Sequence, residues 1–203
     1  MEEKELLDLE NSFEEIKNLQ IADYLVLPIN ADLTKFEAKI LKLKFPLWIK
    51  LNSSEHKAKL GAIKKVSSFE ELKKTHSSLQ KKFPGKKFLF QENIEGIEII
   101  TGIKKDKTFS KVLLIGSGGS LVELEKDVEF RILPVEKEEI ESALKQLKIY
   151  KILEQKNLAI NKLVDLIYDF SKLKIEEADL NPIIVNEKEA LVIDARIQVE
   201  EEG

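Results

Sequence analysis

There is no cysteine in the 203 residues. Disulfides, thiolate zinc sites and cysteine nucleophiles are therefore excluded together. Methionine occurs once, at position 1, and glycine and proline are few, at 8 and 5. No apolar run reaches the roughly 18 residues of a membrane span, so no transmembrane helix and no membrane partner are expected. The opening MEEKELLDLE is acidic and lacks the basic and apolar regions of a signal peptide; a cytoplasmic location is expected. His56 and His76 are the only histidines and lie too far apart for metal-ligand spacing. The mild net charge of −4 argues against the broad basic face of a nucleic-acid binder.

What is present is enough for a core. The apolar fraction is 43%, and the length fits one domain or two small lobes. Abundant lysine and glutamate with few thermolabile residues fit a thermophile. Charge is uneven: 35–87 holds most of the lysine, while 123–142 and 176–203 are acid-rich. A basic lobe and an acidic one suit a nucleotide with a divalent metal, although most such charges simply solvate helix faces.

One stretch organises the chain, FSKVLLIGSGGSLVELEKDVEFRILP over 109–134. Val112 to Ile115 reads as a buried strand, Leu121 to Leu124 and Val128 to Leu133 as two more. The intervening Gly116-Ser117-Gly118-Gly119-Ser120 lets backbone N–H groups approach an anion, because no Cβ intervenes. Glu123, Asp127 and Arg131 are then expected to face one pocket. A plain hairpin turn with surface charges accounts for the same pattern.

In chain order, Leu6, Leu9, Phe13, Ile16 and Leu19 have the spacing of an amphipathic helix over 2–19. A strand follows at 22–27. A helix is expected over 31–43, started by Asn30 or Asp32. Phe45 to Leu51 is a strand in which Lys50 is one basic residue at the end of an apolar run. It reads equally as an ammonium aimed at phosphate or as a side chain reaching to water. A strand at 62–66 precedes a helix from Ser67-Ser68 to Lys82, with Ser68 and Glu71 in capping-box spacing. His76 reads as a surface residue of that helix, and His56 as an exposed loop residue. Strands at 87–91, 97–104 and 109–115, helices at 138–149 and 158–171, and strands at 175–180, 182–185 and 190–193 complete the pattern, with a hairpin turn at 186–189.

Four segments carry a resemblance: FPLWIKLNSSEHK (45–57), FLFQENIEGIEIITGIKKD (88–106), VLLIGSGGSLVELEKDVEFRILPV (112–135) and EEADLNPIIVNEKEALVIDARI (176–197). The chain resembles the ATP-grasp β subunits of ADP-forming acetate–CoA ligases, within the nucleoside-diphosphate-forming acyl-CoA synthetases; succinyl-CoA synthetase β is a more distant relative. The resemblance implies an α/β (α+β), two-lobed ATP-grasp fold with a nucleotide cleft between lobes 1–90 and 91–203. It implies ATP or ADP and Mg2+ as bound groups. It also implies an α subunit carrying the CoA-binding and phosphohistidine domains, in a hetero-oligomer active only as a whole.

Residue by residue, the resemblance implies that Lys50 contacts the nucleotide phosphates, with Lys57 nearby. Glu92, Asn93 and Ile94 would be the adenine linker, acting largely through backbone, and Glu98 would meet the ribose. Asn181 and Asp194 would ligate magnesium, which favours hard oxygen donors. Asp179 would lie beside a visiting phosphohistidine. Glu123 and Arg131 fall in family-like positions, and His56 would be a candidate phosphoryl carrier. The chain departs from the family pattern His-Lys-Ser-Asp-x-Gly-Gly-Val: after His56-Lys57 stand Ala58, Lys59, Leu60, Gly61, Ala62 and Ile63. That departure motivates two alternatives, a degenerate nucleotide-binding subunit and a purely structural one. A succinyl-CoA synthetase β subunit is a further alternative, which would carry another C-terminal domain.

Overall fold

The computed structural model describes residues 4–54, 60–119 and 127–200. The chain divides into two compact units. The smaller holds Asp8–Glu10 and Ala22–Ile94; the larger holds Met1–Leu7, Asn11–Ile21 and Glu95–Gly203. A boundary at 90/91 would cut through a strand, Phe88–Glu92, that pairs on both sides within the smaller unit.

The smaller unit is a four-stranded antiparallel sheet. Its strands are β2 (Tyr24–Leu27), β3 (Leu47–Leu51), β4 (Ile63–Val66) and β5 (Phe88–Glu92), in the order β2-β5-β3-β4. Leu47, Ile49 and Leu51 alternate along β3 and enter one apolar core with Phe88, Phe90, Leu72 and Leu79. Leu72 and Leu79 come from α3 (Phe69–Lys82). Ser68 caps this helix by accepting from the Glu71 N–H at 3.2 Å, while the Glu71 carboxylate accepts from Ser67 N–H at 2.8 Å. The expected helix at 31–43 is instead a 3₁₀ turn, Leu33–Phe36, followed by a single helical turn, α2 (Glu37–Ile40). Asp32 accepts from the Thr34 N–H at 3.1 Å, a local bond that competes with continuous α-helix.

The larger unit is a sheet of seven described strands with helices on one face. β1 (Lys4–Leu6), β6 (Ile97–Asp106), β7 (Ser110–Ser117), β8 (Val128–Ile132), β9 (Glu177–Val185), β10 (Ala190–Val192) and β11 (Ala195–Glu200) form it. The order is β1-β11-β9-β6-β7-β8, with β10 also on β9. The helix expected over 2–19 is only α1, Leu9–Glu15, because Leu6 pairs with Gln198 at the sheet edge. Leu9, Phe13, Ile16 and Leu19 are nonetheless buried. The helix expected at 138–149 splits into α4 (Lys137–Gln146) and α5 (Tyr150–Gln155). Asp127 takes the N–H groups of Lys148 and Ile149 at 2.9 and 3.2 Å, so the ladder restarts there. α6 (Ile160–Ser171) buries Leu163, Val164, Leu166, Ile167 and Phe170, the stripe that its spacing gives. The strands expected at 175–180 and 182–185 are one strand, β9. Among the described residues, no helix is long and apolar enough to cross a membrane.

His76 is a correction. It is 5% exposed, not a surface residue. It meets the Phe88 ring edge-on at 5.3 Å and the Phe90 ring at 5.5 Å. Its position on α3, four residues after Leu72 and three before Leu79, turns it toward those rings, which cover it. Burial pushes its pKa below the ordinary value, because the imidazolium loses hydration. The folded state therefore holds neutral His76, while the unfolded chain takes up a proton below about pH 6.5. This contribution to stability is complete above that pH and is lost as pH falls below it. Urea midpoints at pH 7.5 and 5.5 are expected to differ more for the parent than for His76→Leu. Equal pH dependence in the two would remove this role.

Candidate functional site

On the larger sheet, cross-strand register assigns each residue to a face. One face meets the helices: Ile99, Thr101 and Ile103 of β6 pair with Ser117, Ile115 and Leu113 of β7, and all six are buried. The other face carries Glu98, Ile100, Gly102 and Lys104. Gly102 pairs with Asp179 on β9 and with Leu114 on β7. Asp179 in turn pairs with Arg196 on β11, and Leu114 with Phe130 on β8. One ladder row therefore runs Phe130, Leu114, Gly102, Asp179, Arg196.

The next row toward Glu98 holds a bulge. Ile99 pairs with Ile183 and Thr101 with Leu180, so Asn181 and Pro182 together oppose the single residue Ile100. A bulge of this kind re-aims a side chain, and Asn181 is exposed. Asp194 sits in the two-residue break between β10 and β11. The Asn181 N–H donates to the Asp194 carbonyl at 3.0 Å, and Ile193 N–H to the Pro182 carbonyl at 3.0 Å. The turn at 186–189 that brings these strands together is present: the Asn186 side chain accepts from Lys188 and Glu189 N–H at 2.9 and 3.0 Å. Asn181 and Asp194, one able to offer an amide oxygen and the other a carboxylate, are thus held at neighbouring backbone positions. Among the described residues, no three His, Asp or Glu groups gather into a metal site. Two hard oxygen ligands fit a magnesium ion that takes its other ligands from phosphate and water.

Asp179 retains access to solvent, yet its carboxylate lies down against Gly102. A Cβ on Gly102 would stand 2.5 Å from Asp179 Oδ1. Loss of hydration there pushes the Asp179 carboxyl up, against the opposing pull of Lys104 and Arg196. Lys104, Glu177, Asp179 and Arg196 line a shallow cavity of about 220 Å³.

In the smaller unit, Lys50 is 4% exposed, and its ammonium donates to Gln91 Oε1 at 2.6 Å. It lies on the sheet face opposite Ile49 and Phe90, as alternation along β3 requires. The linker is tied down by its own side chains. Glu92 Oε1 accepts from Lys44 N–H at 2.9 Å, and Asn93 Oδ1 from the Trp48 indole at 3.0 Å. The N–H groups of Glu92 and Asn93 donate to Asp23 and Pro46 carbonyls at 3.0 and 3.1 Å.

Two expected site residues turn elsewhere. Asp127 is buried and accepts from the Ser117 hydroxyl as well as from Lys148 and Ile149. Burial alone would raise its carboxyl, but these hydrogen bonds outweigh burial and hold it below the usual range. Arg131 pairs with Leu113, so it belongs to the helix face. It bonds Glu129 at 3.1 Å, and the Gln146 amide on α4, suitably oriented, accepts from it at 3.0 Å. Period-two alternation separates Arg131 from Asn181 and Asp179. His56, Lys57 and Glu123 lie outside the described residues. Gly102 was not anticipated; its place opposite Asp179 follows only from register.

A family model for the ATP-grasp domain matches residues 25–199. The chain belongs to the ATP-grasp family. It is similar to acetate–CoA ligase [ADP-forming] II of Archaeoglobus fulgidus, at 34% identity over 79% of this chain and 25% of that protein. It thus spans about a quarter of that relative's length. It is also similar to acetate–CoA ligase [ADP-forming] II subunit beta of Pyrococcus furiosus, at 31% identity over 77% of this chain and 76% of that one. Among solved structures, the dinucleotide forming acetyl-coenzyme A synthetase 1 of Ca. Korarchaeum cryptofilum has a TM-score of 0.78 at 26% identity. The match covers 93% of this chain and 90% of that one. That protein was solved with coenzyme A and Mg-AMPPCP, its phosphohistidine segment pointing towards the nucleotide binding site.

The two aspartates should respond oppositely to neutralisation. Asp127→Asn is expected to cost about 1–3 kcal/mol by urea melting at pH 7, since buried N–H groups lose a charged acceptor. Asp179→Asn is expected to unfold no earlier than the parent, because the folded state already disfavours that charge. The reverse order of stabilities would overturn the assignment of Asp127 to structure and Asp179 to the site.

Proposed function

We propose that this chain is the nucleotide-binding part of an ADP-forming acyl-CoA synthetase. It works as a β subunit with an α partner that carries the CoA-binding domains and a phosphohistidine. The net reaction is acyl-CoA, ADP and phosphate to acid, CoA and ATP, with acetate the acid its relatives suggest. The observation that carries the reading is the order of groups along β6 and its neighbouring strands: Glu98, then Asn181 with Asp194, then Asp179 with Arg196. Glu98 and Gly102 are four residues apart on β6, roughly 13 Å at 3.3 Å per residue. A nucleotide extended along that direction would meet groups for ribose, metal-bound phosphates and incoming phosphoryl in sequence.

Phosphoryl transfer asks mostly for positioning and charge neutralisation. A β-phosphate oxygen of ADP attacks phosphorus, the P–N bond breaks, and its electron pair returns to the imidazole. Asp179 accepts the N–H of the other ring nitrogen and fixes the tautomer. Lys50 exchanges its Gln91 bond for phosphate oxygen and acts as a point charge. The Ile94 N–H meets the adenine edge, and Glu98 meets the ribose. Asn181 and Asp194 would hold Mg2+, which when bound neutralises phosphate oxygens.

Titration calorimetry of the full chain with ADP and ATP, with and without Mg2+, tests this. Magnesium-dependent binding is expected. Lys50→Met, which keeps the buried stem, should weaken ADP at least about tenfold, or 1.4 kcal/mol. Asp194→Asn should remove the magnesium enhancement and leave metal-free binding intact. No heat at millimolar nucleotide, or unaltered binding in both variants, would refute the assignment.

A further inference from the structure

Gly118 and Gly119 follow β7, and neither takes part in the phosphoryl chemistry above. Their close approach is to a neighbouring residue. The Gly118 N–H donates to the Glu98 carbonyl at 2.7 Å. A Cβ on Gly118 would lie 2.5 Å from the Glu98 Cβ and 2.7 Å from its carbonyl carbon. Only a shift of strand backbone would relieve such contacts. Gly119 has φ +67°, and a Cβ there would lie 3.1 Å from Glu98 Oε2. The lack of a side chain at 118 thus leaves room for the base of the Glu98 side chain, and the lack of one at 119 leaves room for its carboxylate tip.

We infer that Gly118 and Gly119 are positioning residues that hold Glu98 for a vicinal diol, and so set preference for a ribonucleotide over one lacking both hydroxyls. The inference rests on the ribose role proposed for Glu98. An exposed glutamate on a strand samples several rotamers, and each costs binding entropy to select. Glu98 is exposed, yet Gly118 lies close to its base and Gly119 close to its carboxylate tip. A carboxylate is acceptor-only with two oxygens, which matches the two hydroxyl donors of a ribose. A side chain at 118 or 119 would displace the oxygens without altering their charge. The effect is therefore on selectivity between sugars and not on nucleotide binding as such.

The experiment is calorimetry of the full chain with ADP and with 2′,3′-dideoxy-ADP, in magnesium. The variants are Glu98→Ala, Gly118→Ala, Gly119→Ala and the control Gly85→Ala. Gly85 has φ +72° with nothing within 4 Å of its Cβ position, so it carries the same backbone strain away from Glu98. The parent should prefer ADP by about tenfold or more, the loss expected when a charged acceptor loses its donors. Gly118→Ala and Gly119→Ala should bring the ratio to that of Glu98→Ala, while Gly85→Ala keeps the parent ratio. Parent-like selectivity in Gly118→Ala and Gly119→Ala would overturn the positioning role. A ratio near one in the parent, with ADP still bound, would overturn the inference and leave the nucleotide reading standing. Absence of ADP binding would overturn both. A ratio lost equally in Gly85→Ala would identify general strain and overturn the inference.

Discussion

The pairing of β6 with β9 is the constraint on which the larger unit depends. β6 lies at the middle of its sheet and fixes β7 on one side and β9 on the other. Every residue it aligns is committed to one face, because alternation leaves no third choice. Among the described pairings of β6 with β9, the bulge at Asn181-Pro182 is where that commitment is relaxed. It presents Asn181 beside Asp194 and still returns Ile183 and Leu180 to the core. Strand-borne groups of this kind are held more rigidly than loop-borne ones.

Two aspartates of the larger unit show how burial and bonding divide structure from site. Asp127 is deep, and its charge is stabilised by a hydroxyl and two backbone N–H groups. The folded state favours that charge, and the break between α4 and α5 depends on it. Asp179 is crowded against Gly102, and the folded state disfavours its charge. Perturbation of that sign is common where a group must exchange a proton or meet an incoming ligand. In the smaller unit Lys50 is a buried ammonium that donates to the Gln91 side-chain amide oxygen.

Much of the fold was legible in local pattern. The stripe of α6, the Ser68 cap, the Asn186 turn and the alternation of β3 each depend on residues within a few positions of one another. The failures share one cause. Leu6 became strand and His76 became core because partners distant in sequence, Gln198 in one case and Phe88 with Phe90 in the other, supplied the deciding contact. The split of the helix at 147 had the same origin, since Asp127 lies twenty residues upstream. For the candidate site, it was the family resemblance that singled out Lys50, Asn181 and Asp194. Arg131 was misplaced because a charged residue in a strand gives no sign of which face the rest of the sheet will leave open.

The sequence by itself determined the chemistry available: no thiol, two histidines, a lysine ending an apolar strand, and an Asn-Pro segment followed by an Asp-Ala-Arg strand. It also determined most helices and strands, because their periodicities are local. Tertiary structure alone decided which side chains share a face, which carboxylate is held by buried hydrogen bonds, and which glycines leave room for Glu98 and Asp179. Those outcomes follow from register between strands far apart in the chain. Register is set by the summed packing of a whole sheet, which no single segment encodes.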